Sequence, residues 1–137
     1  MENGKLTMSN NIVLEKSIDF AVRIVNLSKY LNSEKNEYTI SRQILRSGTA
    51  VGALVREAQQ AESKADFIHK LSIALKEADE TDYWLSLLNR TQYMNQEQFL
   101  SIKSDIEELL KLLISIIKTA KNKKEKKIIN YPFSINN

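Results

Sequence analysis

The 137-residue chain has no cysteine, one histidine, one proline and three glycines. Without thiols it has no disulfide framework, no thiolate metal site and no cysteine nucleophile. The proline is Pro132, and glycine stands only at positions 4, 48 and 52, so few residues interrupt a helix and an all-β fold is disfavoured. No apolar run approaches the roughly 18 residues of a membrane span. The opening MENGKLTMSNN lacks the apolar centre of a secretory signal, and no glycine-rich phosphate loop follows. A soluble cytoplasmic protein is the expectation, with no membrane partner. Hydrophobic residues make up 42% of the chain, enough for one domain with a real core.

The stretch from Arg46 to Leu85 organises the rest. Ser47, Gly48, Ala50, Gly52, Ala53, Ala58 and Ala61 recur in a pattern that otherwise reads as helix. Each interior glycine costs about 1 kcal/mol of helix propensity relative to alanine. Gly48 and Gly52 are one turn apart, and close approach of a neighbouring backbone is the natural compensation. Ser63 and Asp66 then form an S-x-x-D capping pattern, which starts the third helix near Ser63. Phe67, Leu71, Ala74, Leu75, Ala78, Leu85 and Leu88 fall on one stripe of it.

The first helix is expected from about Asn11 to Leu31, and it carries two apolar stripes. Phe20, Ile24, Leu27 and Leu31 form one; Leu14, Ile18, Ala21, Val22 and Val25 form the other. One stripe suffices inside an isolated bundle, so the second either widens the core face or marks a subunit interface. After the polar segment Asn32 to Tyr38, helix two begins near Thr39 and directs Ile40, Ile44, Val51, Leu54 and Val55 inward. Arg42, Arg46 and Arg56 share its other side, a basic face that is either solvated and paired with neighbouring acids or available to phosphate. Helix three ends near Tyr93, where Asn95 and Gln98 suggest the next cap.

Helix four is expected over Gln96 to Lys121. Leu109, Leu110, Leu112, Leu113, Ile114, Ile116 and Ile117 extend beyond one face, again consistent with burial on two sides. Lys118, Lys121, Lys123, Lys124, Lys126 and Lys127 follow against the single acid Glu125, leaving residues 1–117 with 14 basic and 16 acidic side chains. The positive excess therefore lies at the end of the chain. Such a terminus binds nucleic acid through counterion release or simply complements a helix dipole. The organisation expected is a disordered N-terminus at 1–10, a bundle at 11–121 and a basic tail at 122–137.

Catalytic arrangements are not apparent. Glu62, Asp66 and His69 have helical spacing, but a carboxylate-bridged di-metal bundle needs two such elements, and His69 is the lone histidine. Asp82 falls inside the Leu75, Ala78 and Leu85 stripe, where an arginine or tyrosine of a facing helix is the expected partner. Tyr83 and Trp84 read as core or interface anchors. No catalytic residue, metal site or cofactor is expected.

The run from Ile40 to Leu88, including Arg46-Ser47-Gly48, Gly52, Arg56-Glu57-Ala58, Asp66-Phe67, Lys76-Glu77-Ala78, Glu80-Thr81 and Tyr83-Trp84-Leu85, resembles the bacterial four-helix bundle proteins related to those encoded in 23S rRNA intervening sequences. The resemblance implies an up-down-up-down antiparallel four-helix bundle assembled as a ring, commonly a homopentamer. It also implies similarity to accessory proteins of diversity-generating retroelements, basic bundles that bind nucleic acid and a reverse transcriptase. No catalytic residue is defined for that family.

The function expected is a non-enzymatic oligomeric scaffold that binds RNA or a nucleoprotein, with Arg42, Arg46, Arg56 and the lysines from Lys118 to Lys127 as its phosphate contacts. The alternative is a protein-interaction adaptor, such as an accessory subunit of a reverse transcriptase, with no direct nucleic-acid contact.

Overall fold

The computed structural model describes the backbone of residues 4–130 and the side chains of residues 11–122. Four helices account for nearly all of it: α1 (Gly4–Lys35), α2 (Thr39–Gln59), α3 (Lys64–Arg90) and α4 (Gln96–Asn130). Each helix packs on the next, α4 returns to α1, and neither diagonal pair approaches as closely. Cross-helix pairs fix antiparallel neighbours: Lys16 with Glu108 and Arg23 with Asp105 join α1 to α4, while Arg46 with Glu80 and Glu57 with Lys70 join α2 to α3. All four helices contribute to one core, with Phe20, Ile24, Leu31, Ile44, Leu71, Leu85, Leu88, Ile106, Leu109 and Leu113 at its centre.

The outer helices are longer than expected. α1 begins at Gly4 rather than near Asn11 and runs past Leu31 to Lys35, while α4 continues beyond Lys121 to Asn130. Nothing between Gly4 and Asn11 breaks a helix, and no proline or glycine stands between Lys121 and Asn130. The backbone of 122–130 is thus part of α4. Residues 1–3 and 131–137 of the expected terminal segments lie outside the described residues.

The connections are set by local polar chemistry. Asn36 takes a left-handed conformation, φ 53°, at the end of α1, a geometry asparagine tolerates. Next to it the Glu37 carboxylate accepts from the backbone N–H groups of Ile40 at 3.0 Å and Ser41 at 2.8 Å, capping α2. Ser63 caps α3 by accepting from the Asp66 N–H at 3.0 Å. α3 ends at Arg90, three residues before Tyr93, because Gln92 turns left-handed (φ 68°) and the Tyr93 and Gln92 N–H groups return to the carbonyls of Leu88 and Asn89. That is a Schellman ending. Asn95 and Gln98 then cap α4 reciprocally, each side chain meeting the other's backbone N–H, at 2.9 and 2.7 Å.

The glycines of α2 do face a close neighbour. A Cβ at Gly48 would stand 2.8 Å from Ile24 Cγ1, and one at Gly52 would stand 3.3 Å from Ser17 Oγ and 3.5 Å from the Ser17 carbonyl oxygen. Small hydroxyls complete this seam and the next: Ser28 and Ser41 share a hydrogen bond at 2.8 Å between α1 and α2, and Thr81 Oγ1 lies 2.8 Å from Ser47 Oγ between α3 and α2. Such pairing lets polar groups sit inside closely packed helices.

Asp82 does find a partner on a facing helix, but it is Lys103 of α4, at 2.6 Å, instead of an arginine or tyrosine. Both side chains are about three-quarters buried. Asp82→Ala should cost about 1–2 kcal/mol in denaturant unfolding, the loss of a charged hydrogen bond. The double replacement Asp82→Leu with Lys103→Met should recover most of it, because it leaves no buried charge unpaired; Glu107, which also meets Lys103 at 3.8 Å, is exposed to solvent.

Candidate functional site

The three arginines of α2 leave the same side of the helix but do not form one patch. Arg42 is exposed near the start of α2. Arg46, one turn on, is held by two carboxylates of α3, Glu77 at 3.2 Å and Glu80. Glu80 is itself fixed by the Trp84 indole N–H at 2.9 Å, and Tyr83 packs edge-on against Trp84 with its own ring largely exposed. Arg56 lies about 21 Å from Arg42 along the helix, at 1.5 Å per residue, and leans toward α1. Arg46 is therefore already neutralised locally, whereas Arg42 and Arg56 present their charge outward.

The lysines stand elsewhere. Lys118 and Lys121 are exposed on α4, which packs beside α1 and α3 and stands diagonally across the core from α2. Lys123, Lys124, Lys126 and Lys127 continue the same helix, with side chains outside the described ones. The fold thus separates the cations expected to act together into an α2 face and an α4 end.

Between α1 and α2 runs a groove of about 560 Å³, lined by Leu14, Ile18, Ala21, Val22 and Val25 on one side and Gly52 and Ala53 on the other. These α1 residues are the second apolar stripe. Leu14 packs against the core, but the middle of the stripe does not widen the core face: Ile18 and Val22 remain 47% and 56% exposed, while Phe20, Ile24 and Leu31 of the first stripe are fully buried. Arg56 closes one end of the groove, and Asn26 with Lys29 the other. Lys29 was not among the expected site residues, although it continues the stripe seven positions after Val22 and so shares its face. Aliphatic walls with cationic ends suit association. The lining offers no carboxylate or imidazole for acid–base chemistry.

A smaller cleft of about 290 Å³ is bounded by Arg23, Asn26, Leu27, Tyr30, Met94, Gln98 and Ile102. Its one strong cation, Arg23, is engaged by Asp105 and by the Ser101 hydroxyl at 3.0 Å. Among the described residues no three histidine or carboxylate groups gather in a metal-holding cluster: His69 is exposed and Asp66 serves the α3 cap. Among the same residues no helix is long and apolar enough to cross a membrane.

Among the described residues the fold is all-α, four helices closed around one core, with an apolar groove between α1 and α2. The chain belongs to the 23S rRNA-intervening sequence protein family, whose model matches residues 9–115. It is similar to the crystal structure of a protein of unknown function from the S23 ribosomal protein family of Bacteroides thetaiotaomicron VPI-5482, with 62% identity and a TM-score of 0.79 over 80% of this chain and 98% of that chain. No curated protein matches it.

Proposed function

We propose that the protein is a non-enzymatic, oligomeric helical-bundle scaffold that binds RNA or another nucleic acid without sequence preference. The observation that carries the nucleic-acid reading is the end of α4, where the helix continues to Asn130 and concentrates six lysines against one acid. Arg42 and Arg56 add exposed cations, while Arg46, committed to Glu77 and Glu80, mainly orders the α2–α3 seam. Membership of a family named for 23S rRNA intervening sequences supports RNA as the nucleic acid. The assembly, a ring of five by resemblance, would cover the exposed Ile18 and Val22 and repeat the lysine-rich helix end around the particle.

Replacing Lys118, Lys121, Lys123, Lys124, Lys126 and Lys127 with glutamine should weaken binding to unrelated RNAs alike. If all six contact phosphate, the slope of log K against log salt should flatten by about four on single-stranded RNA. An unchanged slope would remove the lysines from the mechanism.

A second reading, a protein-interaction adaptor, is favoured by the groove itself. Its aliphatic lining provides no aromatic ring for a base to stack on and resembles the grooves that take apolar protein segments. A protein partner retained at high salt, with no nucleic acid copurifying, would distinguish this reading.

A further inference from the structure

The groove between α1 and α2 needs an occupant that is apolar along about 16 Å, the rise from Leu14 to Val25 at 1.5 Å per residue, and uncharged where it meets Ile18, Ala21, Val22, Gly52 and Ala53. The outer side of α4 does not qualify. Its exposed Leu100 and Ile114 are separated by Glu107 and Lys111, whose charges would be desolvated against aliphatic walls.

One stretch of the chain does qualify. Residues 128–137, IINYPFSINN, contain no charged side chain, and Ile129, Tyr131, Phe133 and Ile135 alternate with Asn130, Pro132, Ser134 and Asn136. Pro132 biases Tyr131 toward extended backbone, and in extended chain residues two apart share a face. Tyr131, Phe133 and Ile135 then span about 13 Å at 3.3 Å per residue, close to the length of the apolar walls. The segment also lies beyond the family match, which ends at residue 115.

Reach decides which groove it fills. The Lys16–Glu108 and Arg23–Asp105 pairs place Leu14 level with residue 110 of α4, give or take a turn. From there the helix runs about 30 Å to Asn130 at 1.5 Å per residue, away from the groove. Residues 131–137 cover roughly 24 Å even when fully extended, so the segment falls short of its own Leu14 while α4 stays helical.

We propose that Tyr131, Phe133 and Ile135 of one copy dock into the α1–α2 groove of a second copy, placing their side chains over Ile18 and Val22. Lys126 and Lys127 precede the docked segment, and Glu15 and Asp19, exposed beside the groove on α1, supply the opposite charge. The inference rests on the oligomeric reading above and specifies how the copies are linked.

The absence of cysteine allows a direct test. Chains carrying only Ile18→Cys are co-expressed with full-length chains carrying only Phe133→Cys, and the purified assembly is treated with a short thiol-reactive crosslinker. Linked dimers should exceed those of a Glu97→Cys with Phe133→Cys control by at least about tenfold, reflecting the high effective concentration of a docked segment. Phe133→Glu should lower the mass in solution without changing helical content. An oligomer that gives no excess crosslink overturns the docking and leaves the scaffold standing. A wild-type monomer overturns both, and a link formed within a single Ile18→Cys, Phe133→Cys chain at high dilution overturns the exchange between copies.

Discussion

Gly48→Val should destabilise the protein by about 3 kcal/mol, seen as a fall in the urea midpoint with little change in slope. A Cβ alone at Gly48 would approach Ile24 Cγ1 to 2.8 Å, Cγ2 to 2.9 Å and Cβ to 3.3 Å. Ile24 is fully buried and cannot swing into solvent. Overpacking of this kind costs about 1–3 kcal/mol, occasionally more, and the β-branched side chain recovers only part of glycine's propensity deficit. Gly52→Ala serves as the control one turn away: its Cβ would sit 3.3 Å from the Ser17 hydroxyl, so the gain in propensity should nearly offset the crowding. A stable Gly48→Val protein would mean that the α1–α2 seam is looser than described.

Val22→Glu should have the opposite signature, a large effect on assembly with a small one on folding. Val22 is 56% exposed in the isolated chain, so its replacement disturbs little within one protomer. At an interface built on the groove, each copy would bury an unpaired carboxylate, a penalty of about 3 kcal/mol, or more than a hundredfold in association. Sedimentation should show smaller particles while circular dichroism stays helical. Particles of full mass would place the contact between copies on another face.

The helices and their local stops were legible because each rests on neighbouring residues. Ser63 with Asp66 and Asn95 with Gln98 form short-range caps, and both lie where their sequence placed them. Gly48 and Gly52 announced a close approach that Ile24 and Ser17 provide. The Schellman turn at Gln92 was not legible, since glutamine carries no special preference for left-handed backbone. The Lys103 partner of Asp82 depends on the register of α3 against α4, a long-range quantity. The arginine face illustrates the same limit: helical angles put Arg42, Arg46 and Arg56 on one side, but only the position of Glu77 and Glu80 on α3 neutralises the middle one. The second stripe of α1 was visible in the sequence, and the packing of α2 determined that it forms an open groove.

The account is tested most directly by the mass of the full-length protein in solution, measured by light scattering with and without a mixed RNA pool across a salt series. A stable oligomer that gains RNA at low salt and releases it at high salt is the predicted result. A monomer at every concentration, or an oligomer whose mass is indifferent to RNA at low salt, would contradict the nucleic-acid-binding scaffold.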